Sequence, residues 1–342
     1  MDAVDLIAES DDRIRYAVDN IRGCELPAEE KGHLLEWLVY MRINRNLAVS
    51  TVHNYGHAML DFALHLKSRE VPLILAEPKD ADEWQKKMAM SKIKIETRSM
   101  RLSGMRGFYK WADYKELCIT RMHTVVGPKR DTKLPKIYSD KQLREFFTSV
   151  DRKKDIGVRD YAVLMFFLGT GARRCEVEQL QLSEIELGPK VGAVLLDGKG
   201  GKERMVGFEQ PVVDALRAWI LIRDKYNCEH EHLFCALNGR TKSQPLGRSG
   251  LDEVVGRVAK CSGNISEGLH RLRAVFATQL YEETKDIELV RVTLGHNDIN
   301  TTRRYIAISP SARRSRMTSA TLRKLTGTDT NEQTTLPSWL KS

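Results

Sequence analysis

The sequence contains no long apolar run. None of its 342 residues lies in a stretch that reaches the ~18 consecutive apolar residues of a membrane span. The first residues are acidic, with Asp2, Asp5 and Glu9, and no apolar signal-peptide segment follows them. We therefore expect a cytoplasmic protein without a membrane partner.

Cysteine is also scarce. The six cysteines are scattered too widely for a disulfide framework, which indicates a reducing compartment. The densest group, between Cys228 and Cys235, includes His230 and His232 and therefore offers sulfur and imidazole ligands. It lacks the C-x2-C or H-x3-H spacing of a structural zinc site. We favour a surface turn that enters a short apolar strand at 232–234 over a zinc site, and we predict no metal.

The positive charge is concentrated in two segments, although the formal net charge of +9 is moderate. Residues 92–136 contain twelve Lys and Arg against four acids, and residues 303–324 contain seven and no acid. A localised basic zone is what binding to a polyanion requires, whereas isolated charge runs are usually solvated helix faces. The distribution favours a nucleic-acid partner.

The first half of the chain has the apolar spacing of helices. We predict helices at 29–42, from a Ser50 cap to Leu66, at 80–90, and from Thr97 to Trp111. Four helices within about ninety residues predict a compact all-α bundle. The first twenty-five residues are short, polar and acidic, and we expect a flexible or marginally helical lead.

The second half begins after a segment with two prolines and four basic residues, 126–137, which predicts an extended linker. We then predict a helix from Ser139 and a buried helix at 156–169. Strands at 191–196 and 204–208 predict a β-hairpin, and further helices follow. The glycine turn between the strands has no G-x4-G-K-[ST] spacing, so it is not a P-loop. The fold class is mainly α with a small β-sheet (α+β).

Three short runs carry the candidate chemistry. They are Thr170-Gly171-Ala172-Arg173-Arg174-Cys175-Glu176, His270-Arg271-Leu272-Arg273, and the run from Leu294 through His296 to Tyr305. Each of the three runs contains arginine, and together they also supply two histidines and a tyrosine, so that at least two arginines can act with them. Guanidinium groups bind the non-bridging oxygens of a phosphodiester, and a phenol is a nucleophile that needs no metal.

These runs, in this order, resemble the signature of the tyrosine recombinases, or phage integrase family, of the Xer-like two-domain type. The resemblance covers about residues 29 to 310. It implies a helical, SAM-like core-binding domain at 26–125 and a catalytic domain at 138–310, joined by the linker at 126–137. Outside them lie the acidic lead at 1–25 and a tail at 311–342, which would be a protomer-exchange segment.

The resemblance also implies roles for the phosphate-binding residues. Arg173 and Arg273 match the two arginines of the family's clamp, and neighbouring Arg174 is the alternative to Arg173. Glu176, about one helical turn after Arg173, matches the acidic residue that supports the site.

The remaining catalytic residues are assigned in the same way. Lys199 matches the hairpin lysine, the general acid for the departing 5′ oxygen, with Lys202 on the same turn as the alternative. His270 and His296 match the family's histidines, and Tyr305 matches its nucleophile. A phenol has a pKa of ~10, so it needs a nearby base and cations to attack at neutral pH.

The basic residues near the linker are the candidate DNA contacts. The helix at 97–111 resembles part of the family's core-binding domain, and its basic residues alternate with its apolar ones. The candidates are Arg98, Arg101, Arg106, Lys110, Lys129, Arg130 and Lys133.

The implied activity is conservative site-specific DNA recombination through a 3′-phosphotyrosyl intermediate, without metal, ATP or another cofactor. The implied partners are double-stranded DNA recombination sites, bound by a homotetramer on two sites, in the cytoplasm at the nucleoid. Accessory DNA-bending proteins are further candidates. The tail, with its terminal Trp339-Leu340 pair, would dock on a neighbouring protomer or fold back in cis. The alternatives are a type IB topoisomerase-like enzyme and a non-catalytic DNA-binding regulator.

Overall fold

The chain forms two compact units, Met1–Thr132 and Lys133–Ser342. The structure is a computed structural model that describes residues 2–118, 121–129, 138–198, 202–262 and 268–306. Each unit has its own hydrophobic core. Helices dominate both, and one small sheet lies in the second, so the predicted α+β class is confirmed. No helix among the described residues is long and apolar enough to cross a membrane.

Six α-helices form the described part of the first unit. They are α1 (Ala3–Glu9), α2 (Asp12–Gly23), α3 (Ala28–Val39), α4 (Val49–Lys67), α5 (Pro78–Met90) and α6 (Ile95–Tyr114). The last four are the predicted bundle. Its core is aromatic: the Trp37 and Phe108 rings pack edge to face at 5.5 Å, and the Tyr109 hydroxyl donates to the Leu73 carbonyl at 2.7 Å.

The lead differs from the expectation. Residues 3–23 form two helices whose apolar side chains join the core of the bundle, so this segment is not a flexible or marginal lead. Ile14, Val18 and Ile21 repeat at helical spacing and are buried, a pattern masked by the surrounding acids. Two of those acids, Asp2 and Asp11, cap the helices by accepting hydrogen bonds from backbone amides.

Two predicted helix ends in the first unit also differ. Helix α4 begins one residue before Ser50, with Ala48 at the cap position and no side-chain cap, so the predicted Ser50 cap is wrong. Helix α3 ends at Val39 and continues as a π-helical turn, Tyr40–Asn44.

The second unit surrounds a buried helix with further helices and a three-stranded sheet. Its helices are α7 (Asp140–Thr148), α8 (Asp155–Thr170), α9 (Arg174–Gln179), α10 (Gln210–Asp224), α11 (Arg248–Ser262), α12 (His270–Thr284), α13 (Ile287–Leu294) and α14 (Ile299–Ile306). The strands are β1 (Ile185–Leu187), β2 (Val191–Gly198) and β3 (Lys202–Glu209). The sheet is antiparallel in the order β1-β2-β3, and β1 was not predicted.

The core of this unit positions the ends of α8 and α13. Helix α8 packs against α10 and α12, and α14 packs against α12 and α13. In β2 and β3, Val194 pairs with Val206 and Leu196 pairs with Arg204. Val194, Val206 and Leu196 are buried in the core. Because Arg204 lies on the same face of β3 as Val206, its side chain points toward the interior.

The segment at 232–235 forms single bridges instead of the predicted short strand. His232 pairs with Gln181 and Cys235 pairs with Pro245. Leu233 and Phe234 are buried between them, while the preceding residues 228–232 are half-buried or exposed. Most of the predicted linker, the hairpin tip at 199–201 and the tail from 307 onward lie outside the described residues, as do Arg130, Lys133 and Lys199.

Candidate active site

A glycine turn after α8 presents the first arginine run. Gly171 ends α8 in the left-handed conformation, with φ of 61°, and its amide donates to the Phe167 carbonyl. A Cβ at this position would lie 2.4 Å from the Phe276 ring. Only glycine fits such a turn, which places Arg173 at the N-cap position of α9.

Arg173, and not Arg174, joins the cluster of predicted residues. The Arg173 guanidinium donates to Glu176 Oε1 at 2.8 Å and to the Gly295 carbonyl at 2.5 Å. Its side chain keeps 28% exposure. Arg174 instead donates to both carboxylate oxygens of Asp252 at 2.8 Å. Arg173 therefore lies within the cluster, whereas Arg174 pairs with a residue outside it.

Glu176 is the buried anion of the site, with a side-chain exposure of 1%. Its Oε2 accepts from the Arg173 backbone amide at 2.6 Å, and Arg204 donates to both of its oxygens at 2.7 Å. Burial alone would raise the carboxyl pKa, but the hydrogen bonds from Arg204 and Arg173 outweigh it, and the pKa of Glu176 is lowered. Glu176 is therefore ionised and fixes two guanidinium groups.

Arg204 is a member of the cluster that the sequence analysis missed. It lies on β3, and its Nε also donates to the Thr293 carbonyl at 2.8 Å. A signal was available. Strand alternation places position 204 on the same face as Val206 and Phe208, so an arginine there points into the core and needs a buried acid.

Arg273 is almost completely buried, at 1% exposure. It projects from α12 and donates to the carbonyls of Gly171 and Leu294. Its Nη2 also lies 3.0 Å from His296 Nε2. The Arg173 and Arg273 side chains therefore bind the carbonyls of successive residues, Gly295 and Leu294, which brings the two predicted clamp arginines to one turn.

The hydrogen bonds of His296 define its tautomer. A guanidinium only donates, so Nε2 of His296 accepts from Arg273, and the Nδ1 proton is donated to Thr302 Oγ1 at 2.9 Å. Burial, followed by the charges of Arg273 and Arg173, lowers the pKa of His296 to about 3. His296 is thus neutral and connects Arg273 to α14.

The turn that carries His296 is held from both sides. Gly295 ends α13 in the left-handed conformation, with φ of 63°, and a Cβ there would lie 3.1 Å from Arg204 Nη1 and 3.3 Å from Arg173 Nη1. Arg291 donates to the His296 carbonyl at 2.7 Å. A side chain at position 295 would therefore crowd both guanidinium groups.

His270 lies at the edge of the cluster, as the first residue of α12 and one turn before Arg273. His270 is exposed to solvent, although neighbouring protein partly desolvates its ring. This partial burial, followed by repulsion from Arg273 and Arg173, lowers the pKa of His270. The imidazole is therefore neutral at physiological pH, in the form that accepts a proton.

The structure describes the other predicted catalytic residues only in part. Position 305 lies on α14, one helical turn after the buried Thr302, and the Tyr305 side chain lies outside the described part. Lys199 is outside it as well. Lys202, its alternative, is the first residue of β3, with its side chain not described.

The predicted DNA contacts on α6 belong to the first unit. Lys110 is exposed, whereas Arg98, Arg101 and Arg106 are half-buried. Arg101 donates to Asp61 at 2.8 Å, and Arg106 donates to the Leu102 carbonyl of its own helix at 3.3 Å. Lys129, beyond α6, is exposed.

Within the described ranges, no three His, Cys, Asp or Glu side chains are grouped so that they would hold a metal ion. The site instead offers the fixed positive charge of Arg173 and Arg273 and the neutral imidazoles of His270 and His296. Such a set suits a reaction whose transition state gains negative charge on phosphate oxygens.

Both units match family models. Residues 34–115 match the model for "Phage integrase, N-terminal SAM-like domain", and residues 137–312, more than half of the chain, match the model for "Phage integrase family". The chain belongs to the phage integrase family. The resemblance inferred from the three runs is confirmed.

Relatives in this family are tyrosine recombinases. Tyrosine recombinase XerC of Staphylococcus haemolyticus is 29% identical over 279 residues, 80% of this chain and 91% of that protein. XerC of Haemophilus influenzae is also 29% identical over 285 residues, 78% of this chain and 89% of the relative. This chain is a site-specific tyrosine recombinase, an enzyme that breaks and rejoins DNA. Neither the topoisomerase-like nor the non-catalytic alternative is favoured.

Solved structures of the family share the fold. The XerH site-specific recombinase bound to palindromic difH substrate, in a post-cleavage complex, matches with a TM-score of 0.66 and 20% identity, covering 92% of this chain and 93% of that one. The Tn1549 transposon integrase in complex with transposon right end DNA matches with a TM-score of 0.61 and 17% identity, covering 86% and 99%. At these identities the likeness establishes the fold.

Proposed function

We propose that this recombinase cuts DNA with Tyr305 as the nucleophile, through a 3′-phosphotyrosyl intermediate. The Tyr305 oxygen bonds to the scissile phosphorus, the bond to the 5′ oxygen breaks, and that oxygen leaves as a 5′-hydroxyl. A 5′-hydroxyl of the partner strand then attacks the phosphotyrosine and releases Tyr305. The bond energy is conserved in the intermediate, so the reaction needs no ATP, and the arginine side chains would supply the positive charge that a metal provides in other enzymes.

One observation carries this proposal. The carbonyls of Leu294 and Gly295 bind Arg273 and Arg173, and the next residue, His296, connects Arg273 to Thr302 on α14. Position 305 follows Thr302 by one helical turn. The candidate nucleophile, Tyr305, therefore lies on α14, the helix that His296 connects by hydrogen bonds to Arg273.

The two arginines would bind the non-bridging oxygens of the scissile phosphate. A guanidinium keeps its charge and presents parallel donors, so it stabilises the extra equatorial charge of the transition state. Glu176 and Arg204 would orient Arg173 from behind, since Glu176 accepts from both guanidinium groups.

The two histidines would have different roles. His270 is neutral and partly exposed at the edge of the cluster, which suits a base that accepts the Tyr305 proton. His296 already uses Nε2 to accept from Arg273 and Nδ1 to donate to Thr302. We therefore assign His296 to positioning α14. Lys199, from its place in the hairpin motif, would protonate the departing 5′ oxygen.

The substrate would be two double-stranded DNA recombination sites bound by a homotetramer, with or without accessory DNA-bending proteins, at the nucleoid. The XerH and Tn1549 structures, which contain DNA, support DNA sites as the partner. Lys110 and Lys129 are exposed and would contact the DNA backbone, as would Arg98, Arg101 and Arg106, together with Arg130 and Lys133 in the linker. The core-binding domain would span 26–125, extended by α1 and α2, and the catalytic domain 138–310.

A recombination assay tests the proposed function. Two DNA fragments that carry the target site are incubated with the full chain in chelator and without ATP, and recombinant products are separated by size. We expect recombinants from the wild type and none from Tyr305→Phe, with single-site binding retained by both. Relaxation of supercoiled DNA without recombinants would instead support a topoisomerase-like enzyme.

The tail would couple the protomers of the tetramer. Residues 311–342 combine basic residues with a terminal apolar group, Leu336, Trp339 and Leu340, that suits a pocket on a neighbour. Deletion of residues 328–342 should leave binding to one site nearly unchanged and reduce pairing of two sites, both measured by gel shift. Undiminished recombination by the shortened chain would exclude this role.

A further inference from the structure

Two cysteines of the second unit are in direct contact. The sulfur atoms of Cys228 and Cys235 lie 2.9 Å apart, although both residues are free cysteines. Cys228 is half-buried, and Cys235 is fully buried. This pair has no part in the recombination chemistry, and it occupies the segment that also raised the question of a zinc site.

The segment between these cysteines is held by cations and by a ring N–H. Arg159 donates to the Cys235 carbonyl at 3.3 Å, and Trp219 donates to the Leu233 carbonyl at 2.8 Å. Arg223 donates to the carbonyls of His230 and His232. Because these carbonyls are fixed by groups from α8 and α10, the backbone that carries Cys235 is held in place beside Cys228.

We propose that Cys228 and Cys235 are a redox pair that forms a reversible intramolecular disulfide with glutathione disulfide. The Cys228 thiolate attacks one sulfur of glutathione disulfide and releases one glutathione. The Cys235 sulfur then attacks the Cys228 sulfur of the mixed disulfide and releases the second glutathione. Two electrons pass from the protein to glutathione disulfide, and the two thiol protons end on the two glutathione molecules.

The environments of the two thiols set this order. Burial, followed by the contact with Cys228, raises the pKa of Cys235 to about 12, so Cys235 is protonated and shielded from an external oxidant. Cys228 is the more accessible thiol, which makes it the one that glutathione disulfide reaches first. In the second step Cys235 attacks the adjacent Cys228 sulfur, and its thiol proton passes to the departing glutathione sulfur.

The disulfide would rigidify a segment that borders the active-site scaffold. The Leu233 amide donates to the Leu180 carbonyl, and the Leu182 amide donates to the Glu231 carbonyl, both at 2.8 Å. Leu180 directly follows α9, whose N-terminus carries Arg173 and Glu176. Closing the ring between residues 228 and 235 would therefore stabilise the strand-like pairing behind α9 without touching the site.

Peptide mapping tests the proposal on the full chain. Both cysteines fall in one tryptic peptide, 226–240, because cleavage follows Lys225 and Arg240. The protein is incubated with glutathione disulfide, free thiols are alkylated, and the peptide is weighed. We expect a monomeric product in which this peptide is not alkylated and is lighter than the reduced form by two hydrogen atoms. Dithiothreitol should reverse the change.

Two serine variants provide the comparison. Cys228→Ser should lose the two-hydrogen change, while Cys24→Ser, a half-buried thiol of the first unit that donates to the Ile21 carbonyl, should retain it. Oxidation should also raise the thermal midpoint of the second unit by about 5 °C in the wild type and in Cys24→Ser, but not in Cys228→Ser.

Three results would overturn the proposal. The first is a peptide that stays reduced, or that accumulates only as a glutathione adduct. The second is a midpoint that does not rise on oxidation. The third is one zinc ion per purified chain that is lost in both Cys228→Ser and Cys235→Ser, which would make the pair a metal site.

Discussion

Replacement of Arg204 by methionine should destabilise the second unit and loosen its active site. The Arg204 side chain is 8% exposed and donates two hydrogen bonds to Glu176, which is 1% exposed. Removing one partner of such a buried ion pair costs about 3 to 5 kcal/mol. Glu176 keeps its hydrogen bonds from the backbone and side chain of Arg173, so we expect a loss near the lower limit, about 3 kcal/mol.

This loss should depend on pH. In the wild type the pKa of Glu176 is lowered, so its contribution to stability is present above the ordinary carboxyl range and disappears as the pH falls into the acid range. Without Arg204, burial opposes ionisation with less compensation, and the pKa of Glu176 rises. The difference in unfolding free energy between wild type and variant should therefore be largest at neutral pH and smaller toward about pH 4.

The assay is urea unfolding monitored by hydrogen exchange of peptides from α9 and β3. Because both elements belong to the second unit, the exchange reports the stability of that unit separately from the first. Arg174→Met is the matched control, because its ion pair with Asp252 is 31% and 49% exposed and should contribute at most about 1 kcal/mol. If Arg204→Met were no less stable than this control, or if the difference did not change with pH, the assignment of Glu176 as a buried anchor would be wrong.

Three further predictions concern single residues of the site. Arg173→Lys should raise the barrier to DNA cleavage by about 2 to 4 kcal/mol, measured as single-turnover rates, whereas Arg174→Lys should not, because a point charge does not reproduce the guanidinium fork. Lys199→Ala should be rescued by a substrate with sulfur at the 5′-bridging position, which leaves without a proton; rescue of Lys202→Ala alone would reverse that assignment. The wild type should lose stability as the pH falls below about 6.5, because the lowered pKa of buried His296 favours the unfolded state in acid. His296→Gln should lack this contribution, so its urea midpoint should fall less over the same range. Parallel urea midpoints of both proteins would contradict the prediction.

The sequence alone predicted the architecture because apolar spacing is a local signal. The helices α4, α7 and α8 and the hairpin of β2 and β3 all follow from periodicity and turn chemistry. The helices at 3–23 were missed because their acidic capping residues made the segment seem polar, and the spacing of its buried apolar residues was not considered.

The residues of the cluster that belong to a sequence motif were predicted. Those that only the tertiary structure brings to the cluster were missed. Arg173, Arg273 and His296 occur in recognisable runs, and the structure joins them at one turn. Arg204 belongs to no such run, and its partner Glu176 is twenty-eight residues away along the chain. Likewise, the positioning role proposed for His296 rests on its contact with Thr302, which the spacing between His296 and Tyr305 does not reveal.

The central claim, that Tyr305 carries the DNA after cleavage, is tested most directly by mapping the covalent adduct. Full-length protein is reacted with a target site nicked just downstream of the scissile phosphate, so that the short fragment with the free 5′-hydroxyl diffuses away and the adduct accumulates. After digestion with trypsin and nuclease, mass spectrometry should find a 3′-linked nucleotide on Tyr305 in the wild type and no adduct in Tyr305→Phe. An adduct on another residue, or an equal yield from Tyr305→Phe, would contradict the account.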